Sequence, residues 1–193
     1  MKLFERLPDT VTVNGKRIKL DLDFRNVLRL METLSREDLM PEAREYLAAR
    51  CVCKKPRPGT LTEIKNLLFS NPPQTDGKRI TSFDQDAGMI RAAFRQVYGI
   101  DLWRDRLHWL EFTELLQNIP DGSRYADVLG IRAREMPEPT KYNAKEREWL
   151  AKAKRAVALK RSDQEVKDDL QKDISNIFKA FLPFAKEVKK DDG

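Results

Sequence analysis

Residues 82–120 read SFDQDAGMIRAAFRQVYGIDLWRDRLHWLEFTELLQNIP and imply two helices joined at a tight corner. Ser82 and Gln85 have the spacing of a capping box, in which a hydroxyl and a side-chain amide satisfy each other's orphan backbone donors. Phe83, Ala87, Ile90, Phe94 and Val97 then recur in steps of three and four residues, which places them on one helix face. Gly88 within that stretch costs about 1 kcal/mol relative to alanine. Gly99 suits the left-handed residue that ends a helix. Asp101 is expected to cap the second helix, in which Trp103, Leu107, Trp109, Leu110, Phe112, Leu115, Leu116 and Ile119 leave little purely polar face. A helix apolar on most sides belongs at the centre of a bundle.

Outward toward the N-terminus, Thr10–Val13 and Lys16–Leu20 flank Asn14-Gly15. That pair between alternating segments signals a hairpin, because both turn positions require positive φ. Asp21 or Asp23 can cap a helix reaching about Leu34, with Val27, Leu28, Met31 and Leu34 on one face. Pro41 fits the first turn of another helix, running through Tyr46 and Leu47 to about Cys51. Pro56-Arg57-Pro58-Gly59 breaks the chain, and Thr60 with Glu63 offers a second capping box before Leu61–Phe69. Ser70–Arg79 (SNPPQTDGKR) reads as a polar connecting loop.

Toward the C-terminus, Ser123 caps a short helix ending near Gly130, and Met136-Pro137-Glu138-Pro139 is extended by proline sterics. Two further helices follow, from Asn143 to about Leu159 and from Asp163 to about Lys189. Pro183 should kink or end the second, since it lacks a donor and crowds the preceding turn. The fold class is therefore mainly α: a helical bundle with a small N-terminal β-hairpin and a C-terminal amphipathic helical arm. Residues 1–135 are expected to form the hairpin and helical core, and residues 136–193 the linker and arm, together one domain with appended helices.

The bulk numbers bound the function. The chain has 193 residues, 40% hydrophobic and 35% charged, with a formal net charge of +6. A chain of this length buries roughly 70% of its unfolded surface without a staple. No apolar run reaches the ~20 residues that span a bilayer, and the opening MKLFERLPDT is too short and charged for a secretory signal. With Cys51 and Cys53 as the two cysteines, a reducing cytoplasmic setting is the simpler expectation. A zinc site on Cys51-x-Cys53 lacks ligands, since a closed site needs four and His108 is the single histidine.

Lys141–Arg161 holds eight basic and two acidic residues, an excess that equals the net charge of the chain. Such a stripe could track phosphates. Its alanines suit close packing instead, and no cluster of base-reading side chains shares its face. Nucleic acid is thus an unfavoured partner. Phosphate loops, dinucleotide fingerprints, zincin motifs and nucleophile elbows are absent from the sequence. Asp84/Asp86 and Asp168/Asp169 are too closely spaced to face each other on a helix. No nucleophile has an evident base, and His108 reads as a half-buried histidine with satisfied ring nitrogens. The expectation is a protein without enzymatic activity and without a cofactor.

Several phrases resemble the bacteriophage gene-product-fifteen family. They are Leu7-Pro8-Asp9-Thr10-Val11 with Val13-Asn14-Gly15, Asp23-Phe24-Arg25, Phe83-Asp84-Gln85-Asp86-Ala87, Ile90, Ala92-Ala93-Phe94, Tyr98-Gly99-Ile100-Asp101-Leu102, Leu107-His108-Trp109, Phe112, Leu115 and Ile119-Pro120. The resemblance spans roughly residues 4–160. It implies a tail assembly chaperone of a long-tailed phage, one that coats the tape measure protein, brings major tail protein subunits to it and leaves the finished tail. Self-association, host cytoplasm and absence from the mature virion are parts of that expectation. A structural virion component, such as a minor tail or connector protein, is the alternative, with a DNA-associated packaging accessory behind it. In the last helix, Ile174, Ile177, Phe178, Phe181 and Phe184 form an apolar face for a client or a neighbouring subunit. The same face would equally serve as the helix's own packing surface.

Overall fold

A computed structural model describes residues 5–69 and 80–160. Among these, two strands and seven helices follow in chain order: β1 (Thr10–Val13), β2 (Lys16–Lys19), α1 (Phe24–Leu34), α2 (Pro41–Val52), α3 (Thr60–Phe69), α4 (Ala87–Tyr98), α5 (Trp109–Gln117), α6 (Arg124–Ala133) and α7 (Ala144–Ala156). The protein is mainly helical with a small antiparallel N-terminal hairpin. It divides into two compact units, Met1–Glu135 and Met136–Gly193. The expected Ser70–Arg79 loop and the last helix, with Ile174, Ile177, Phe178, Phe181 and Phe184, lie outside the described residues.

The hairpin forms where its turn chemistry places it. Asn14 and Gly15 take φ of 48° and 73°, the left-handed pair that matches strand twist. Val13 pairs with Lys16 and Val11 with Ile18. Val11 and Val13 point inward, and the ladder continues through the Leu20 amide to the Asp9 carbonyl at 2.7 Å. The Asp21 amide then donates to the Val52 carbonyl at 2.7 Å, tying the hairpin to the end of α2.

Asp23 caps α1 by accepting from the Arg25 amide at 3.1 Å. Val27 and Leu30 are fully buried, whereas Met31, expected on the same face, is exposed. Helix α1 packs chiefly on α2, which turns Ala48, Ala49 and Val52 inward. Tyr46 and Leu47, midway along that helix, stay exposed. Small alanines let α1 and α2 approach closely, and the larger side chains rotate outward. Thr60 is part of α3, and its hydroxyl accepts from the Arg57 amide at 2.8 Å rather than capping toward Glu63.

The largest departure concerns the corner after Gly99. Gly99 ends α4 with φ of 69°, as expected. Asp101 then organises a turn, not a helix. Its carbonyl accepts from the Arg104 and Asp105 amides, and its carboxylate accepts from the Trp103 amide at 3.0 Å. Helix α5 begins only at Trp109. Residues 107–109 are held extended by an antiparallel bridge to residues 22–24. The Phe24 amide donates to the Leu107 carbonyl at 3.0 Å, and the Trp109 amide to the Leu22 carbonyl at 2.8 Å. Two helix starts are thereby clipped back to back, with Asp23 and His108 as their caps. Trp103, expected to face the core within that helix, is 72% exposed.

Phe83 precedes α4 in a turn instead of lying on it. Ser82 still caps that turn, its hydroxyl accepting from the Gln85 amide at 3.4 Å. Ser123 caps α6 through the Ala126 amide at 3.1 Å. That helix runs through Gly130 to Ala133, so Gly130 is interior and not terminal. In the second unit, Asn143 bridges the Thr140 amide and the Glu138 carbonyl, which ties the turn that starts α7. Helix α7 has Leu150 as its buried residue.

Candidate interaction surface

Phe112 organises the aromatic floor of the first unit. Its ring stacks on Phe24 with centroids 4.6 Å apart and on Phe94 at 5.2 Å. Trp109 and Phe83 approach it at 5.9 and 6.2 Å. Phe112 and Phe94 are at most 1% exposed. Aromatic pairs in such offset or tilted arrangements add about 0.5–1.5 kcal/mol each beyond burial.

Above this floor a cavity of about 270 Å³ opens to the surface. Phe24 and Leu28 of α1, Phe83, Ala87 and Ile90 around the start of α4, and Leu102 of the corner line it with Phe112. Arg25, Arg91 and Trp103 form the rim. The Arg91 guanidinium lies 4.6 Å from the Trp103 ring centroid, in cation–π contact. Arg25 is held by the Asp23 carboxylate at 3.3 Å and by the Leu102 carbonyl at 3.3 Å.

The corner presenting Trp103 is fastened by charge. Asp101 pairs with Arg95 and lies 3.8 Å from Arg104. The hydrogen bond from the Trp103 amide, opposed by desolvation and supported by Arg95 and Arg104, holds the Asp101 carboxyl below its ordinary value. An exposed tryptophan on a fastened turn, above an apolar well, can insert into or clamp an apolar side chain from another chain.

A second network braces the well. Asp86, 1% exposed, accepts a two-pronged pair from Arg132 of α6 at 2.7 and 2.9 Å. The Ser82 amide adds a bond at 2.9 Å, and the Thr81 hydroxyl a weaker one at 3.3 Å. Burial pushes the Asp86 carboxyl up, but Arg132 and the Ser82 amide outweigh it, so the group titrates below its usual range. Tyr125, 3.0 Å from the Thr81 hydroxyl, is pushed up chiefly by burial. This pair makes Asp86 a structural anchor. Its partner lies 46 positions away, which no local motif signals.

His108 is half-buried, with Nδ1 accepting from the Leu110 amide at 3.2 Å and Nε2 3.0 Å from the Pro8 carbonyl. Both ring nitrogens are engaged in holding the chain. Cys51 lies 3.7 Å from the Thr33 hydroxyl and Cys53 is buried. Among the described residues, no three His, Cys, Asp or Glu side chains gather in a way that could hold a metal ion. No helix among them is long and apolar enough to cross a membrane. Helix α7, within the basic stripe, exposes Trp149, and Tyr142 in the preceding turn is 95% exposed.

The described residues thus define a mainly helical protein with a small N-terminal hairpin. Residues 65–159 match the family model described as Bacteriophage Gp15 protein, and over that segment the chain is similar to this family. No curated protein and no solved structure matches it. The matched segment carries Phe83, Ala87, Ile90, Arg91, Leu102, Trp103 and Phe112 of the well, while Phe24, Arg25 and Leu28 come from outside it.

Proposed function

We propose that this phage protein is a non-enzymatic tail assembly chaperone, which binds the tape measure protein and recruits tail-tube subunits before leaving the tail. The observation that supports this reading most is the apolar well beside Trp103, most of whose lining lies in the family-matched segment. A client rich in long amphipathic helices offers side chains at helical spacing that seat in such a well. Weak single contacts become effective when several copies engage one long client, which is why self-association belongs to the proposal. The sequence-derived face at Ile174, Ile177, Phe178, Phe181 and Phe184 is a second contact under the same reading.

The test is co-purification of the full chain with a tape-measure fragment from infected-cell lysate, set against proteomics of purified virions. Capture from lysate together with absence from virions supports chaperoning. Stoichiometric presence in mature virions would turn the assignment to a structural tail component. Phe178→Ser with Phe181→Ser should leave a folded chain that no longer holds the fragment. Global unfolding of that variant would assign the face to the protein's own packing.

A further inference from the structure

The outer edge of β2 faces a groove walled by the end of α2 and the segment after it. Bonded and non-bonded pairs alternate in an antiparallel hairpin. The Val13–Lys16 pair closes the turn, and the Leu20 amide bonds to the Asp9 carbonyl. That parity turns the amides and carbonyls of Arg17 and Lys19 away from β1. They have no hydrogen-bond partner among the described residues.

The groove beside this edge measures about 840 Å³ and is lined by residues 17–21 on one side and by residues 50–55 with Arg57 on the other. Arg17, Lys19, Arg50, Lys54, Lys55 and Arg57 supply six cations, all exposed. The single lining carboxylate, Asp21, is already paired with Arg106 at 2.7 Å. At the Asp21 end, the bond to the Val52 carbonyl closes the groove, so the open part of the edge is short and defined.

We infer that the β2 edge is a docking strand for an acidic, extended peptide segment of a partner protein. Such a segment would add as a third strand, pairing its backbone with Arg17 and Lys19 while its carboxylates meet the surrounding cations. Lysine on an edge strand usually guards against self-pairing. Here the guard is selective, because another copy's equally basic edge is repelled and an acidic strand is attracted. Nucleic acid fits less well, since none of the lining residues is aromatic to stack a base and phosphates make no use of an open strand edge. This inference stands apart from the chaperone reading. It uses a different surface and requires no tape measure.

The test uses the full chain and a labelled ten-residue peptide alternating Glu or Asp with Val or Thr, followed by fluorescence anisotropy. Three arms separate the contributions. The first is the same peptide N-methylated at alternate amides, the second a deoxythymidine oligonucleotide of equal charge, and the third a set of variants. Micromolar binding is expected, weakened at least about tenfold by N-methylation and by Lys54→Glu with Lys55→Glu. Lys19→Pro removes an outward amide without touching the β1–β2 ladder. It should weaken binding well beyond Lys19→Ala, with far-UV circular dichroism unchanged. Equal binding of the N-methylated peptide, tighter binding of the oligonucleotide, or no peptide binding near millimolar concentration would each overturn the inference.

Discussion

The corner well and the hairpin groove are opposite kinds of surface on one compact unit. The well is apolar, floored by stacked Phe24 and Phe112 and rimmed by two arginines and Trp103. The groove is cationic and presents open backbone. Side-chain fit governs the first, and charge with strand geometry the second. The well is therefore tied to the core, and damage to its floor must cost stability. The cations of the groove are exposed, so they can change with little effect on folding.

The sharpest way to break this contrast is to remove the floor. Phe112→Ala should destabilise the protein by about 3–5 kcal/mol, the usual cost of deleting a buried aromatic. Denaturant titration checks it. A loss below about 1 kcal/mol would mean that the well collapses freely and its shape is not built in.

Next in size is the brace behind the well. Arg132→Met leaves Asp86 buried beside the Ser82 amide without its cation, at a cost of about 3 kcal/mol near neutral pH. Asp86→Leu with Arg132→Met should recover most of that loss, because a buried pair is often replaceable by apolar residues. The pH dependence has a fixed sign. Asp86 titrates lower when folded than when unfolded. Its contribution is present above the unfolded carboxylate value of about 3.9 and fades as pH falls through the folded one. The gap between the parent and Arg132→Met should therefore narrow in acid. A gap that stays constant from pH 7 to pH 2.5 would contradict the assigned ionisation.

Much of this layout is legible from local sequence, because local chemistry decides it. Asn14-Gly15 dictates the hairpin, and Asp23, Pro41 and Ser123 mark helix starts where the structure has them. Gly99 likewise marks a true helix end. What escapes is whatever depends on distant partners. Asp101 looks like a helix cap, and its side chain does bond two residues ahead. The bridge from Leu22–Phe24 nevertheless claims Leu107–Trp109 and delays α5. Trp103 is therefore turned to solvent, although its spacing fits an apolar helix. The Asp86–Arg132 pair escapes for the same reason. The open β2 edge is implicit in the hairpin register, yet the basic wall facing it depends on where α2 ends. The aromatic face around Phe178 and Phe181 lies outside the described residues.

A smaller effect tests whether helix α6 needs its interior glycine. Gly130 is exposed, and a Cβ built there meets nothing within 4 Å. Gly130→Ala should stabilise the protein by about 0.5–1 kcal/mol through backbone entropy alone. A destabilisation in the same denaturant assay would indicate that the close face of α6 is occupied in solution.

The smallest stability effect should accompany the largest functional one. Trp103 is 72% exposed, and its main contact is the Arg91 guanidinium over its ring. Trp103→Ala should therefore change stability by less than about 1 kcal/mol, because an exposed cation–π pair is worth about 0.5–1 kcal/mol. If the well receives a client side chain, the same substitution removes a rim aromatic of the kind that dominates binding energy, with a loss of about 2 kcal/mol or more in affinity. Binding of the acidic peptide at the β2 edge should not change. Isothermal calorimetry with a tape-measure fragment and with the peptide separates the two surfaces in one variant. Unchanged affinity for the fragment would remove the well from the proposed client contact. Loss of both affinities with a normal denaturation curve would mean that the two surfaces are coupled, for which the Asp21–Arg106 pair at 2.7 Å supplies a physical link.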